Sequence, residues 1–388
     1  MKSIFDRVID RRGTNSLKWD NMKMVFGRND LFPLWVADMD FEAPEPVLEA
    51  IKRRAGHGIY GYTFVADTVY AAVIDWMRKR HGWIIERDWV LLTPGVVPSI
   101  SVAINAFTEP GDGVIIQSPV YHPFFSTIRK NNRRLVINRL KHKNGFYLMD
   151  FEDLAAKIDK TTRLLILCSP HNPVGRVWKR EELEILSEIC FKNNILIVSD
   201  EIHSDIVYKG STHIPYSSLS DATKEYSLIL NAPSKTFNIP GLATSFAIIP
   251  NAALRAAFEQ EMKRLNLGAL NIFGLTAFEA AYKFGEEWLN SLLCYLEENI
   301  DFLLHYIATK LPPIRVYKPE GTYLVWMDFS NSGIDTRKIN KLLADKTGIA
   351  LSDGAGFGPG GEKYQRINIA CPRGRLKEAL GRIEKIFH

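Results

Sequence analysis

The stretch Leu164-Leu-Ile-Leu-Cys-Ser-Pro-His-Asn-Pro-Val-Gly175 has the pattern of a buried strand that ends in a proline-containing turn. A helical pattern from Glu181 to Asn193 follows it, and then a second apolar run, Ile195-Leu-Ile-Val-Ser199. The same alternation extends through the middle of the chain, with further predicted strands at Val90–Leu92, Gly113–Gln117, Leu228–Leu230 and Ser245–Ile249. This alternation predicts an α/β fold with a mostly parallel sheet.

The last hundred residues have a different order of elements. A long helical pattern from Glu286 to Lys310 ends just before two prolines. Strands and helices then alternate, with predicted elements at Thr322–Asp328, Thr336–Thr347, Arg366–Ala370 and Arg375–Phe387. We therefore expect a large domain over residues 46–285 and a smaller α+β domain over residues 286–388, with residues 1–45 packing against the smaller one.

Composition excludes several classes of protein. The 49 basic residues are balanced by 44 acidic ones, and the densest basic cluster, Arg129–Arg134, is expected to be a solvated helix end rather than a nucleic-acid patch. The N-terminus is charged throughout and no apolar run approaches membrane-spanning length, so we expect a cytoplasmic protein without a nucleic-acid or membrane partner. Four widely spaced cysteines have neither metal-ligand spacing nor the density of a disulfide framework: Cys168, Cys190, Cys294 and Cys371.

Lys235 stands in the small polar turn that follows the predicted strand Leu228–Leu230. Burial at a strand end disfavours the charge of a lysine and lowers its pKa, which makes the amine a usable nucleophile. Such lysines form Schiff bases with carbonyl compounds, including pyridoxal phosphate. A solvated lysine is the common alternative. The interpretation of Lys235 as a cofactor-binding lysine therefore depends on whether the neighbouring strand ends carry residues that could bind the rest of the cofactor.

Parallel sheets place their ligands at the carboxyl ends of strands. Gly95 permits close backbone approach, and the N–H groups of Gly95, Val96 and Val97 at a helix start form an anion site. Tyr121 follows the next strand and could lie flat on a cofactor ring. Asn172 lies between two prolines that fix its backbone, so its side-chain amide has a restricted orientation. A plain βα turn, a rim aromatic and a turn asparagine are the ordinary alternatives.

Asp200 ends another predicted strand, and His203 lies three residues later. A buried carboxylate needs a partner, and a protonated pyridine nitrogen would be one. The ion pair would keep the ring cationic, which is what the electron sink of pyridoxal phosphate requires. Asp200 and His203 also resemble a metal pair, but no third or fourth ligand is evident in the sequence, so no metal site is predicted. Ser234, beside Lys235, is a candidate phosphate ligand.

Three motifs together resemble those of fold-type I enzymes that use pyridoxal 5'-phosphate (PLP), in the class I/II aminotransferase superfamily: Ser169-Pro-His-Asn-Pro-Val-Gly175, Ser199-Asp-Glu-Ile-His203 and Ala232-Pro-Ser-Lys-Thr-Phe-Asn238. Val36-Ala-Asp-Met-Asp-Phe41 and Tyr60-Gly-Tyr-Thr63 are similar to the MalY/PatB branch, which includes cystathionine β-lyases and the C–S lyase cystalysin. The resemblance covers nearly the whole chain. It implies a seven-stranded, mostly parallel sheet in the large domain and a smaller α+β domain.

The resemblance also implies roles for the residues at the strand ends. Lys235 would carry PLP as a Schiff base, and Asp200 would pair with the pyridine nitrogen. Asn172 would contact the ring hydroxyl and the substrate carboxylate, and Tyr121 would stack on the ring. The phosphate would be held by Gly95, Val96, Val97 and Ser234.

Other implied roles lie further from the lysine. Tyr62 would reach the phosphate of a neighbouring subunit, so the active unit would be a homodimer. Arg366 would clamp the substrate α-carboxylate as a bidentate fork, with Arg373 expected to be a surface charge. Two positions depart from many aminotransferases: Ala243 replaces a phosphate-binding arginine, and His203 replaces a tyrosine near the ring hydroxyl. Both departures fit the lyase branch.

The resemblance favours α,β-elimination on L-cystathionine or L-cysteine-type amino acids, which gives a thiol (homocysteine or sulfide), pyruvate and ammonia. Lys235, displaced by the substrate amine, would remove the Cα proton, and Tyr121 would help to protonate the leaving sulfur. Transamination uses the same residues and stays an alternative, as does a PLP-binding regulator without turnover. The pocket for the sulfur side chain is expected to include Trp35, Met39, His122 and Phe124.

Overall fold

Seven strands form the sheet at the centre of the protein. The structure, a computed structural model, describes residues 3–143 and 145–387. In spatial order, the strands are Val90–Thr93, Ser245–Ile248, Ser227–Asn231, Leu196–Asp200, Thr162–Cys168, Gly113–Ser118 and Arg134–Arg139. Ser245–Ile248 is antiparallel to both of its neighbours, whereas all other neighbouring pairs are parallel. The prediction of an α/β fold with a mostly parallel sheet is confirmed.

Helices cover both faces of this sheet because successive strand side chains enter two different apolar cores. Leu164 packs with Ile100 in the core of one face. Its neighbour Leu165 packs with Leu186 in the core of the opposite face. The helices of this part of the chain are Glu45–Gly56, Asp67–His81, Val96–Phe107, Pro123–Lys130, Phe151–Lys157, Arg180–Lys192, Asp221–Glu225, Pro233–Thr236, Ala252–Arg264 and Ile272–Phe284.

The C-terminal part of the chain forms a second, antiparallel sheet. The helix Glu286–Lys310 leads into it, with the bounds that the sequence predicts. The four strands, in spatial order, are Arg315–Val316, Leu324–Asp328, Tyr364–Asn368 and Ser352–Asp353. Helical turns span residues 336–347, and the helix Arg373–Glu384 closes this part of the chain.

The N-terminal segment contacts the C-terminal part through backbone pairing. The short strand Phe32–Pro33 pairs in parallel with Ile349–Ala350. Two short helices, Leu17–Asp20 and Met22–Phe26, precede this strand. The division into domains at residues 45 and 285 stays a prediction.

Two local features differ from the sequence expectations. The pattern does not predict the strand Arg134–Arg139, because arginines bracket its short apolar run and it lies at the sheet edge. Lys235 lies in the short helix Pro233–Thr236 rather than in an irregular turn, since Pro233 can occupy the first turn of a helix. No helix in the described part of the chain is long and apolar enough to cross a membrane.

Candidate active site

The carboxyl ends of the central strands surround one pocket of about 230 Å³. Parallel strands end at the same edge of a sheet, which is why residues distant in sequence meet there. The residues predicted from the sequence that line this pocket are Gly95, Val96, Val97, Tyr121, Asn172, Asp200, His203, Ser234 and Lys235.

Lys235 follows the strand Ser227–Asn231 by a few residues and faces this pocket. Its Nζ donates a hydrogen bond to the carbonyl oxygen of Ala37 at 2.6 Å. Burial lowers the pKa of Lys235 to about 8, although the charge of Asp38 acts in the opposite direction. An amine with this pKa is partly neutral near pH 7 and can act as a nucleophile or a base.

Two buried polar groups line the pocket beside the lysine. The carboxylate of Asp200 accepts a hydrogen bond from the N–H of Ile202 at 3.2 Å, and burial raises its pKa to about 7. Burial lowers the pKa of His203 to about 3, so its imidazole is neutral. The Nδ1 atom of His203 is buried and has no partner among the described residues. Incompletely paired polar groups beside a cavity indicate a polar ligand.

Another part of the pocket wall is suited to an anion. Gly95 has a φ of 146° and precedes the helix Val96–Phe107, so the chain needs glycine at this position. The first helical turn offers backbone N–H groups and the positive end of the helix dipole. The Ser234 hydroxyl, which has no intramolecular partner among the described residues, faces the same pocket. Ala243 also lines it and adds no charge, so an anion would be held by N–H and hydroxyl groups.

A second cavity, of about 740 Å³, adjoins the pocket and shares Ala37, Tyr121 and Lys235 with it. Its walls include three of the residues expected around the sulfur side chain, Trp35, Met39 and His122. The expectation for Phe124 is wrong, because this side chain is fully buried in the apolar core beneath the helix Pro123–Lys130.

Arg366 lies in the wall of the second cavity. Its Nη1 donates to Oδ1 of Asn172 at 3.0 Å, and its Nη2 donates to the carbonyl oxygen of Trp35 at 2.9 Å. Its Nε is buried and has no partner within the described ranges. Burial lowers the pKa of Arg366 to about 10, which still leaves it charged at neutral pH. A charged guanidinium with an unused donor is suited to a carboxylate ligand.

Three other residues do not join this site within one chain. Tyr62 is fully exposed and lies beside Leu270, away from both cavities. Arg373 donates from Nε to Asn299 at 2.5 Å and lies near the surface. Glu201, the residue after Asp200, is fully buried and pairs with His213 at 2.9 Å, as expected for a structural carboxylate.

Residues 35–40, which include the predicted pocket residues Trp35 and Met39, form one wall of the larger cavity. Asn368 donates to two of its backbone carbonyls, at 2.7 and 2.6 Å. Tyr323 donates its hydroxyl to the carbonyl oxygen of Ala37 at 3.0 Å. These partners lie far away in sequence, so no local pattern indicates that they hold this wall in place.

A seven-stranded, mostly parallel sheet whose strand ends surround a partly buried lysine and a buried aspartate is the architecture of fold-type I PLP-dependent enzymes. Residues 29–383 match the family Aminotransferase class I and II, and the chain belongs to this family.

Relatives of known structure or sequence share almost the full length of the chain. It is 45% identical to cystathionine β-lyase PatB of Bacillus subtilis (strain 168), over 98% of both chains. A PLP-bound putative aminotransferase from Clostridium difficile 630 has a TM-score of 0.97 and 45% identity over 99% of both chains. Cystalysin from Treponema denticola, which contains PLP, has a TM-score of 0.95 and 36% identity, over 99% of this chain and 98% of that one.

Proposed function

We propose that this protein is a PLP-dependent carbon–sulfur β-lyase that acts by α,β-elimination on L-cystathionine and related L-cysteine derivatives. The products are a thiol, such as homocysteine or sulfide, with pyruvate and ammonia. The observation that carries the proposal is the junction of two cavities at Lys235, one suited to PLP and the other lined by Arg366. The identity of 45% to a cystathionine β-lyase supports the same reaction.

The residues of the first pocket fit PLP. Asp200 offers a buried carboxylate to a protonated pyridine nitrogen, and His203 offers an Nδ1 atom that has no partner in the described part of the chain. Asn172 uses Oδ1 for Arg366, which leaves its amide N–H groups for the ring hydroxyl. Tyr121 is the proposed ring neighbour, and the phosphate is assigned to Gly95, Val96, Val97 and Ser234. When bound, PLP supplies an electron sink for charge that develops at Cα.

The protein's own residues perform the proton transfers. Arg366 binds the substrate α-carboxylate through its unused donors and so orients the Cα–H bond. Lys235, once its amine is free, takes the Cα proton onto Nζ. The Cβ–S bond then breaks and its electron pair leaves with sulfur. Burial raises the pKa of Tyr121, so its hydroxyl keeps its proton at neutral pH and can donate it to sulfur.

The proposal is tested with purified holoenzyme and L-cystathionine, in the absence of any keto acid. We expect pyruvate and homocysteine to form in equal amounts, and Lys235→Ala to abolish both. Consumption of cystathionine that requires an added keto acid, and that converts this acceptor into its amino acid without forming pyruvate, would show a transaminase instead. A panel of S-alkyl cysteines and cysteine itself then identifies the preferred leaving group.

We further propose that the active unit is a homodimer with shared sites. Tyr62 is fully exposed and stands in a loop with other exposed apolar side chains, Ile59, Tyr60 and Phe64. Exposed apolar groups that cluster in this way are typical of a protein–protein contact. A cytoplasmic location is part of the same proposal, supported by four unpaired cysteines of the kind that a reducing compartment maintains.

A further inference from the structure

We propose that Asp38 is a positioning residue for Lys235: its carboxylate stabilises the ammonium form of that lysine while Nζ holds the proton taken from the substrate. The inference rests on the proposed function, because a reaction at Cα requires Lys235 to receive that proton. In this step the Cα–H bond breaks, the proton moves to Nζ, and the electron pair stays on the substrate.

Asp38 lies in the same cavity wall as the lysine and directly follows the residue that binds its amine. Nζ of Lys235 is held at 2.6 Å from the carbonyl oxygen of Ala37, the residue directly before Asp38. Asp38 and Lys235 both line the larger cavity. The carbonyl oxygen accepts a hydrogen bond from the amine in either protonation state, whereas the charge of Asp38 favours only the ammonium form.

The carboxylate of Asp38 cannot readily move away. Arg11 binds it as a fork, with Nη1 at 2.9 Å from Oδ1 and Nη2 at 2.7 Å from Oδ2. Lys18 donates to its backbone oxygen at 3.3 Å. The Asp38 side chain is only 15% exposed, so water screens its charge weakly. The fork therefore fixes a poorly screened negative charge in the wall of the cavity that Lys235 also lines.

The balance of charge in this wall predicts the effect of removing the Asp38 charge. Arg11 and Lys18 are matched by Asp38 and Asp40, with which they form ion pairs of 2.7 to 3.7 Å. The four charges sum to zero while Asp38 is ionised. Without the Asp38 charge, the wall would carry one net positive charge beside Lys235, and a second cation there would be disfavoured.

Other groups also face the lysine amine. The charge of Arg366 lowers the pKa of Lys235 and the charge of Asp200 raises it, while His203 and Tyr323 are neutral at pH 7. The pyridinium nitrogen of bound PLP would form an ion pair with the carboxylate of Asp200. Asp38 is then the carboxylate left to act on Nζ, and among the charged groups it already has the largest effect on the Lys235 pKa.

The test uses Asp38→Asn, which keeps the shape of the side chain and removes its charge. Cofactor-free protein is mixed with PLP at a series of pH values, and the rate of uptake is followed by visible absorbance, because only the neutral amine of Lys235 reacts. We expect the midpoint of the pH dependence to fall by about one unit. The acidic limb of kcat for L-cystathionine should move in the same direction, with little change in KM.

Two further variants make the result specific. Glu42 lines the same cavity but is half exposed and paired with Arg7 at 3.0 Å, so Glu42→Gln should leave the midpoint unchanged. Arg11→Gln leaves the Asp38 charge less compensated, so the midpoint should rise. A general structural defect is not expected to move the midpoints of the Asp38 and Arg11 variants in opposite directions. Thermal unfolding checks that both variants fold.

An unchanged or higher midpoint in folded Asp38→Asn would overturn the inference. If that variant does not fold, an unchanged or lower midpoint in Arg11→Gln would overturn it instead. The uptake measurement needs no substrate turnover. A wild-type protein without lyase activity would therefore refute the proposed function while leaving the uptake test of Asp38 intact.

Discussion

Arg366 donates from Nη1 to Oδ1 of Asn172 at 3.0 Å, although 194 residues separate the two in sequence. This hydrogen bond fixes the orientation of the Asn172 amide, with its oxygen towards the larger cavity and its N–H groups free for the cofactor pocket. The two residues thereby connect the proposed PLP site to the proposed substrate site. A substrate carboxylate bound by Arg366 would be held at a set distance from the cofactor ring.

Arg366→Lys is expected to lower kcat/KM for L-cystathionine by about ten- to a hundredfold, mainly by raising KM, since lysine cannot form a fork and charge-assisted hydrogen bonds contribute about 1.5–3 kcal/mol. Initial rates of pyruvate formation measure the effect. Arg373→Lys serves as the control, because Arg373 contacts Asn299 and Glu298 near the surface instead of the cavity. A wild-type KM in the Arg366 variant would contradict the assignment.

Much of the site could be predicted from the sequence because several of the predicted residues lie at the carboxyl end of a strand or within a few residues of it. Asp200 and Asn172 are examples: local periodicity locates their strands, and parallel topology brings the strand ends together. The sequence predicts Trp35 and Met39 as pocket residues, but it does not predict how the wall around Ala37 is fixed, because Asn368 and Tyr323 from the C-terminal part of the chain hold this wall. Its position depends on how two parts of the fold pack, which no local pattern encodes.

Shared active sites can be tested by mixing two inactive variants. Lys235→Ala removes the lysine from its own subunit, and Tyr62→Ala removes the proposed phosphate contact from the partner's site. Each homodimer should have little activity, whereas a mixed dimer retains one intact site. Random mixing should restore about a quarter of the wild-type activity, since about half of the dimers are mixed and each has one good site of two.

The mixed-dimer experiment has a direct control. The same variants are mixed under conditions where subunits do not exchange, as judged by a tag on one of them, and no activity should return. If Tyr62→Ala alone keeps wild-type PLP affinity and rate, Tyr62 has no role in the site. Activity that fails to return despite exchange would show that Tyr62 does not act across subunits.

Ala243 has φ 47° and ψ 51°, a left-handed backbone conformation that costs a non-glycine residue about 1 kcal/mol or more. Ala243→Gly should therefore raise the free energy of unfolding by about 0.5–1 kcal/mol, after the greater chain entropy of glycine is subtracted. Urea unfolding measures the difference. Ala247→Gly, in the buried strand Ser245–Ile248, should instead destabilise the protein, and a destabilised Ala243→Gly would refute the strain argument.

Asp200 makes the stability of the cofactor-free protein depend on pH. Burial raises its pKa from an ordinary 3.8 to about 7, so the folded state favours the protonated carboxyl. The contribution of Asp200 to the free energy of unfolding is fully present below about pH 4 and is lost as the pH rises through about 7. It amounts to a few kcal/mol in total. Asp200→Asn should thus match the wild type near pH 4 and exceed its free energy of unfolding near pH 8.

Urea unfolding of both proteins across this range reports the contribution of Asp200 and its charge interactions, because titrating groups that do not interact with Asp200 cancel in the difference. PLP should remove the difference by pairing the ionised carboxylate, and Asp200→Asn should lower kcat by about a hundredfold or more through loss of that charge. Glu201→Gln provides the contrast, since Glu201 is already bonded to His213, Ser199 and the N–H of Tyr216, and its loss should destabilise the protein throughout. A less stable Asp200→Asn protein at pH 8 would mean that the carboxylate already has a partner before PLP binds.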